Sequence, residues 1–209
     1  VDNQDEMTLK KASMAPVFVV EPTGDDDTDN LKNAFADAIT EGHGSVVQLC
    51  EGEYHLGFIE IRDFCGTLKG AGKGKTLITA MNNLDVQALW DQNIHADLVK
   101  FVGGDVHLSH FTIQTPTGAI SVTGPATGHI RSLVNFSATN AVYEAGNESR
   151  SINVVIDNVS FKGQFLESGP GYNYGYNCFF GVRTGYDYFS GSDVPREKID
   201  FKMTDSEIN

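Results

Sequence analysis

Three segments of the sequence repeat one pattern of large and small side chains at nearly equal spacing. They begin at Val106, Val154 and Phe201, so their starts lie 48 and 47 residues apart. Each segment has large apolar residues at its first, third and eighth positions and two small or polar, turn-capable residues at its fourth and fifth. Such a repeat of strand–turn–strand units predicts a solenoid, because one unit cannot bury its own apolar face and needs a stacked neighbour.

Weaker copies of this pattern indicate a shorter period. The segment that starts at Ile59 lies 47 residues before Val106, and residues 131–136 and 178–182 lie about midway between the strong copies. We therefore predict an all-β right-handed parallel β-helix with coils of about 24 residues. Asn and Asp tolerate the left-handed backbone conformation that tight corners require. The predicted corner residues are Asp63, His110, Asn135, Asn158 and Asp205.

One helix is predicted before the coils. Asp27 or Thr28 is a suitable N-cap and Gly42 a suitable end, so the helix covers about residues 28–41. We expect it to cap the N-terminal end of the solenoid core. Its apolar face, at helical spacing, consists of Leu31, Ala34, Phe35, Ala38 and Ile39.

The predicted domain organisation is simple. Residues 1–16 are polar and form an irregular N-terminal arm, and residues 17–209 form the β-helix domain. Residues 201–208 begin a fresh coil with no capping element after it. Because a solenoid end without a cap exposes its core, we expect the chain to be a fragment or its C-terminal end to be covered by another domain or subunit.

The charge balance excludes some partners. The 209 residues carry a formal net charge of −13, which argues against nucleic acid because phosphate binding needs Lys and Arg. Neutral glycans, or acidic glycans bridged by a cation, remain suitable ligands. No apolar run approaches the length of about 18 residues that a membrane span needs, so none is predicted.

No cofactor or metal site is predicted from spacing. The three cysteines, Cys50, Cys65 and Cys178, have mainly apolar neighbours and show no Cys/His metal-ligand pattern. One alternative is Ca²⁺, because hard cations bind clustered carboxylates. The carboxylates that would hold it are Asp25, Asp26, Asp27 and Asp29.

Three stretches carry a family resemblance. Residues 21–30 followed by an Ala-rich helix, residues 44–54 and residues 66–78 resemble the pectin-lyase-like right-handed β-helices. The resemblance implies a secreted or cell-surface protein that acts on polysaccharide. The chain begins at Val1 and shows no signal-peptide pattern.

The catalytic signatures of that family are not found, so the catalytic residues stay unknown. His43-Gly44 and Asp25-Asp26 precede the coils in the wrong order for a polygalacturonase-type hydrolase. Asp157 and Asp205 would lie two coils apart, about 9.6 Å, near the upper end of the range for an inverting carboxylate pair. Both hold corner positions, so a turn role is favoured over catalysis.

The segment 169–191 is the best candidate for ligand binding. It is rich in Gly and Tyr, and tyrosine rings pack on sugar faces while their hydroxyl groups bind polar atoms. The predicted substrate-binding residues are Tyr172, Tyr174, Tyr176, Arg183, Tyr186 and Tyr188. Two functions remain open: an enzyme that degrades polysaccharide by hydrolysis or β-elimination, and a non-catalytic glycan-binding, adhesin or spike-like module.

Overall fold

A computed structural model describes residues 14–81, 97–114, 132–137, 151–162, 178–183 and 199–208. These residues contain one helix, α1 (Thr28–Glu41), and a series of short strands. The strands are β1 (Val17–Val20), β2 (Ser45–Leu49), β3 (Gly52–Leu56), β4 (Ile59–Arg62), β5 (Cys65–Lys69), β6 (Thr76–Ala80), β7 (Asp97–Val102), β8 (Gly104–Ser109), β9 (Thr112–Gln114), β10 (Ser132–Ser137), β11 (Ile152–Asp157), β12 (Ser160–Lys162), β13 (Cys178–Arg183), β14 (Ile199–Thr204) and β15 (Glu207–Ile208).

The strands form three sheets. The six-stranded sheet has the order β1-β2-β5-β8-β11-β14, the five-stranded sheet β15-β12-β9-β6-β3, and the four-stranded sheet β13-β10-β7-β4. Each pair of neighbouring strands is parallel, and from β2 onward the chain visits the three sheets in the same cyclic order. The predicted all-β parallel β-helix is confirmed.

The predicted coil length of about 24 residues is wrong. Val46, Thr67, His107, Val155 and Lys202 are successive register partners in the six-stranded sheet, so the coils contain 21, 40, 48 and 47 residues. The three strong copies of the pattern, which begin at residues 106, 154 and 201, therefore lie in directly adjacent coils. The predicted period had placed one further coil between each pair of them. The weaker copies at 59, 131 and 178 are real strands, but they lie in the four-stranded sheet. The first coil contains 21 residues, and long connections between strands lengthen each later coil. Because of these connections, the sequence does not repeat at the length of the first coil.

Four of the five predicted corners adopt the left-handed conformation. The φ angles of Asp63, His110, Asn158 and Asp205 are 58°, 61°, 54° and 48°. The last three stack at the corner between the six-stranded and five-stranded sheets, whereas Asp63 turns the chain from β4 into β5. Asn135 is not a corner, because it lies inside β10.

A row of aromatic rings runs through the core. The Phe35 and Phe64 rings are 4.9 Å apart, Phe35 and Phe101 are 5.9 Å apart, and Phe101 stacks on Phe136 at 5.8 Å. Phe201 extends the row, 6.2 Å from Phe136. Phe101 and Phe136 stack because they are register partners on β7 and β10, whereas Phe35 comes from α1 and Phe64 from the corner before β5.

Helix α1 covers the N-terminal end of this core, as predicted. Leu31, Phe35 and Ala38 are buried, whereas Ile39 is exposed. Asp27 occupies the N-cap position without a capping hydrogen bond from its side chain. Its carboxylate instead accepts hydrogen bonds from the Thr23 and His55 backbone amides at 2.7 and 3.1 Å, which ties the helix start to the first coil.

The prediction for the C-terminal end stays a prediction. β14 and β15 lie at the edges of their sheets among the described strands, and Phe201 and Ile208 are 38% and 48% exposed. The predicted irregular arm falls almost entirely outside the described residues. No helix in the described part of the chain is long and apolar enough to cross a membrane.

Candidate functional site

Five long connections of the chain enter or leave the four-stranded sheet. Residues 81–96, 115–131 and 163–177 lead into β7, β10 and β13, and residues 138–151 and 184–198 lead out of β10 and β13. The corners between the other two sheets are much shorter. Because function concentrates in loops displayed on a rigid scaffold, the outer face of the four-stranded sheet is the candidate site.

Two cations meet one carboxylate on this face. Lys100 Nζ donates to Glu60 Oε2 at 2.6 Å, and Arg62 Nε donates to Glu60 Oε1 at 2.7 Å. Glu60 and Lys100 are register partners on β4 and β7. Alternation along a strand explains the outward direction, because Ile59 and Ile61 on either side of Glu60 are buried in the core. We call Glu60, Arg62 and Lys100 the charged cluster.

The ion pairs decide the charge state of Glu60. Burial by itself would raise the pKa of Glu60, but hydrogen bonds and positive charge from Lys100 and Arg62 outweigh it. The pKa of Glu60 therefore lies below its ordinary value of 4.5. The cluster carries one net positive charge at neutral pH, on a protein whose formal net charge is −13.

Asn135 continues the row of the charged cluster. It pairs in register with Lys100, is 1% exposed, and its Oδ1 atom has no hydrogen-bond partner among the described residues. Unpaired buried acceptors are rare, because leaving one unsatisfied costs about 1–3 kcal/mol. Because Asn135 is buried, the accessible part of this face is the charged cluster, where the Arg62 and Glu60 side chains are 39% and 34% exposed.

Only part of the predicted binding set lies in the described residues. Arg183 is the last residue of β13, and its backbone pairs with Ser137. Ser137 pairs with Val102, which pairs with Arg62, so Arg62 and Arg183 hold one register row about 14 Å apart, three strand spacings. The other predicted residues lie outside the described residues, in the connections before and after β13. They are Tyr172, Tyr174, Tyr176, Tyr186 and Tyr188.

The Asp157 carboxylate has a structural role at the end of β11. Asp157 Oδ1 accepts a hydrogen bond from Thr204 Oγ1 at 2.7 Å, and Asp205 follows in the adjacent coil. The expected separation of two coils is therefore wrong. Burial lowers the pKa of His107 on the same sheet face, and the nearby negative charge of Asp157 opposes this shift.

Hydrogen bonds around the start of α1 explain part of the acidic run at residues 25–29, the candidate Ca²⁺ ligands. Asp26 Oδ1 accepts a hydrogen bond from the Thr28 backbone amide at 2.9 Å. Hydrogen bonds from the Thr28 side chain and, to a lesser extent, from its backbone lower the pKa of Asp26. Asp27 accepts hydrogen bonds with both oxygens. Ca²⁺ binding here stays an expectation with no further support from the geometry.

The charged cluster was missed in the sequence. The sequence does show charged and apolar residues in alternation, which places the charged ones on the outer face of a strand. Glu60 and Arg62 flank Ile61, and Lys100 lies between Val99 and Phe101. Nothing in the sequence shows that residues 60 and 100 are register partners, because their separation depends on the long connection between β6 and β7.

The described residues define a parallel β-helix whose four-stranded sheet carries the charged cluster on its outer face. No family model and no curated protein matches the sequence. Among solved structures, a mutant of a PL6 family alginate lyase matches 93% of this chain with a TM-score of 0.52 and 16% sequence identity. The chain spans 20% of the length of that enzyme. At this identity the likeness supports the fold alone.

Proposed function

We propose that this protein binds an acidic polysaccharide on the outer face of the four-stranded sheet and cleaves it by β-elimination. The observation that carries the proposal is the charged cluster, in which Arg62 and Lys100 converge on one carboxylate at 2.6–2.7 Å. A uronate carboxylate suits the same two cations, because guanidinium and ammonium groups bind carboxylates through charge-assisted hydrogen bonds. The structurally similar alginate lyase is consistent with this class of substrate.

β-Elimination assigns a clear task to these cations. A general base takes the C5 proton of a uronate, the C4–O4 bond breaks, a C4–C5 double bond forms, and the departing oxygen takes up a proton from water. Negative charge builds up on the uronate carboxylate as the C5 proton leaves. Arg62 and Lys100 stabilise this charge, since preorganised cations act where charge develops. Glu60 is a positioning residue that holds both side chains.

Hydrolysis is supported less well. Glycoside hydrolysis uses a pair of carboxyl groups on either side of the scissile bond. Within the described part of the outer face, the charged cluster contains one carboxylate, and that carboxylate is occupied by two cations. An elimination that relies on cations fits this composition better.

A non-catalytic glycan-binding module is the second candidate. The ion pairs of the charged cluster favour this candidate, because Glu60 already neutralises part of the charge of Arg62 and Lys100. The lowered pKa of Glu60 also makes its carboxylate a weak base for proton removal. In this case the tyrosines before and after β13 would stack on sugar rings. Binding without turnover would select this candidate.

A panel of polyuronates and neutral glucans, each with and without Ca²⁺, tests the proposal. We expect ultraviolet absorbance from unsaturated products with a polyuronate and none with a glucan. Lys100→Met and Arg62→Gln should each lower the rate at least tenfold. Lys69→Met, on the exposed face of the six-stranded sheet, is the matched control. Equal losses in the control, or reducing ends without unsaturated products, would contradict the proposal.

The tyrosine prediction has its own test. Replacing Tyr172, Tyr174 and Tyr176 together with Ala should abolish binding to immobilised polysaccharide, whereas replacing them with Phe should retain most of it because the rings remain. If the Ala and Phe variants bind as tightly as the unaltered protein, these residues do not form the binding surface.

A further inference from the structure

Three side chains with different donor atoms meet beside the first coils. They are His43, Cys65 and Asp105, and one ligand atom from each lies within 4.8 Å of the other two. His43 and Asp105 are exposed and Cys65 is partly buried as a free thiol. This cluster lies on the six-stranded sheet, so it is separate from the charged cluster.

The fold explains why residues so far apart in sequence meet here. Cys65 and Asp105 are register partners at the starts of β5 and β8. The Gly44 backbone amide donates to the Cys65 carbonyl oxygen at 2.8 Å, which places His43 beside the same strand end. All three backbones are therefore held by the parallel ladder.

A close backbone contact supports the position of Asp105. Its amide donates to the Phe64 carbonyl oxygen at 3.1 Å, and a Cβ atom on the preceding Gly104 would collide with that oxygen. Gly104 also has a φ of 95°, which L side chains rarely adopt. Glycine is thus required for the chain to pass so close to Phe64 and present Asp105 next to Cys65.

The carboxylate of Asp105 is also oriented by a neighbour. Asn153 Nδ2 donates a hydrogen bond to Asp105 Oδ1, and the two residues are register partners on β8 and β11. Such a bond leaves the second carboxylate oxygen for a ligand. Outer partners of this kind orient the ligands in many metal sites.

We infer that His43, Cys65 and Asp105 bind a divalent transition metal, with Zn²⁺ as the best match. A nitrogen, a thiolate and a carboxylate form a mixed ligand set that suits Zn²⁺, and three protein ligands leave the fourth tetrahedral position open. Ca²⁺ is a poor match, because it takes six to eight oxygen ligands. In tetrahedral zinc sites the ligand atoms lie about 3.3–3.8 Å apart. Metal binding therefore draws the three ligand atoms together from separations of up to 4.8 Å.

Spectroscopy with Co²⁺ and calorimetry with Zn²⁺, on untagged protein, test the site. We expect one equivalent of Zn²⁺ to bind, and Co²⁺ to give the intense absorption bands of thiolate coordination. Cys65→Ser should abolish these bands, and His43→Ala should abolish one-to-one binding. Asn153→Ala should weaken binding by about 10–100-fold. Cys50→Ser is the matched control, since Cys50 is also a partly buried free thiol, and it should bind Zn²⁺ normally.

Three outcomes would overturn the inference. They are no saturable Zn²⁺ binding, Co²⁺ spectra without thiolate bands, and Zn²⁺ affinity that His43→Ala leaves unchanged. His43 is exposed, so its loss is not expected to disturb folding, and circular dichroism checks this. Polysaccharide cleavage is not the readout, so failure of this site and failure of the proposed lyase activity are distinguishable.

Discussion

Lys100 Nζ lies 2.6 Å from Glu60 Oε2, although the two residues are 40 positions apart in the chain. The contact joins adjacent coils through register partners of β4 and β7. With Arg62 it forms the charged cluster on the outer face of the four-stranded sheet. Four parts of the molecule contribute to stability in ways that variants can test: this cluster, the core, the corners and the half-buried His107.

Glu60→Gln should reduce stability at neutral pH by up to about 1 kcal/mol, the usual upper value for a partly exposed ion pair. The pKa of Glu60 is lowered in the folded protein, so its contribution is present above the unfolded-state pKa and is lost as pH falls through the folded-state pKa. The difference between variant and unaltered protein in urea unfolding should therefore shrink in acid. Glu53→Gln, at an exposed position on β3, is the control, and an equal pH dependence there would contradict the prediction.

Phe101→Ala should reduce the free energy of unfolding by about 3–5 kcal/mol, because it leaves a large cavity in the core. Phe101 is fully buried and contacts the Phe35 and Phe136 rings at 5.9 and 5.8 Å. Chemical denaturation gives the value. Phe101→Leu keeps most of the volume and should cost clearly less, so equal losses for Ala and Leu would argue against close packing around this ring.

Asn158→Val should reduce stability by about 1–2 kcal/mol, because a β-branched residue is strained in the left-handed conformation. Asn158 has a φ of 54° at the corner between β11 and β12. Asn158→Gly should change stability by less than about 1 kcal/mol, since glycine adopts positive φ without steric cost. The thermal unfolding midpoints of the Val and Gly variants test this difference. Equal midpoints for the two variants would contradict the observed left-handed corner.

Lowering the pH should destabilise the protein partly through His107. Burial lowers the pKa of His107 in the folded state, so the unfolded chain binds the proton more readily. The stability that this residue contributes is complete above the unfolded-state pKa, ordinarily 6.5, and is lost as pH falls toward the folded-state value. His107→Gln should flatten that part of the stability–pH curve. Thr67→Ala, its register partner without a titratable group, should keep the slope of the unaltered protein.

The architecture could be predicted from local features. The repeated pattern at Val106, Val154 and Phe201 showed the solenoid, and helix α1 was predicted with its observed bounds. His110, Asn158 and Asp205 marked real corners because a left-handed turn limits the residue types that can occupy it. These are properties of short segments, so they can be read without knowing which strands pair.

The register, and with it both candidate sites, was decided by the tertiary structure. Coil length changes from 21 to 48 residues as long connections are inserted, so no fixed period could show that Lys100 pairs with Glu60, or Asp105 with Cys65. By itself the sequence determined a stack of parallel coils with a helical cap, because apolar spacing and turn chemistry are local. Only the folded chain determined which side chains share an outer face, because that depends on how much chain each coil contains before the strands align.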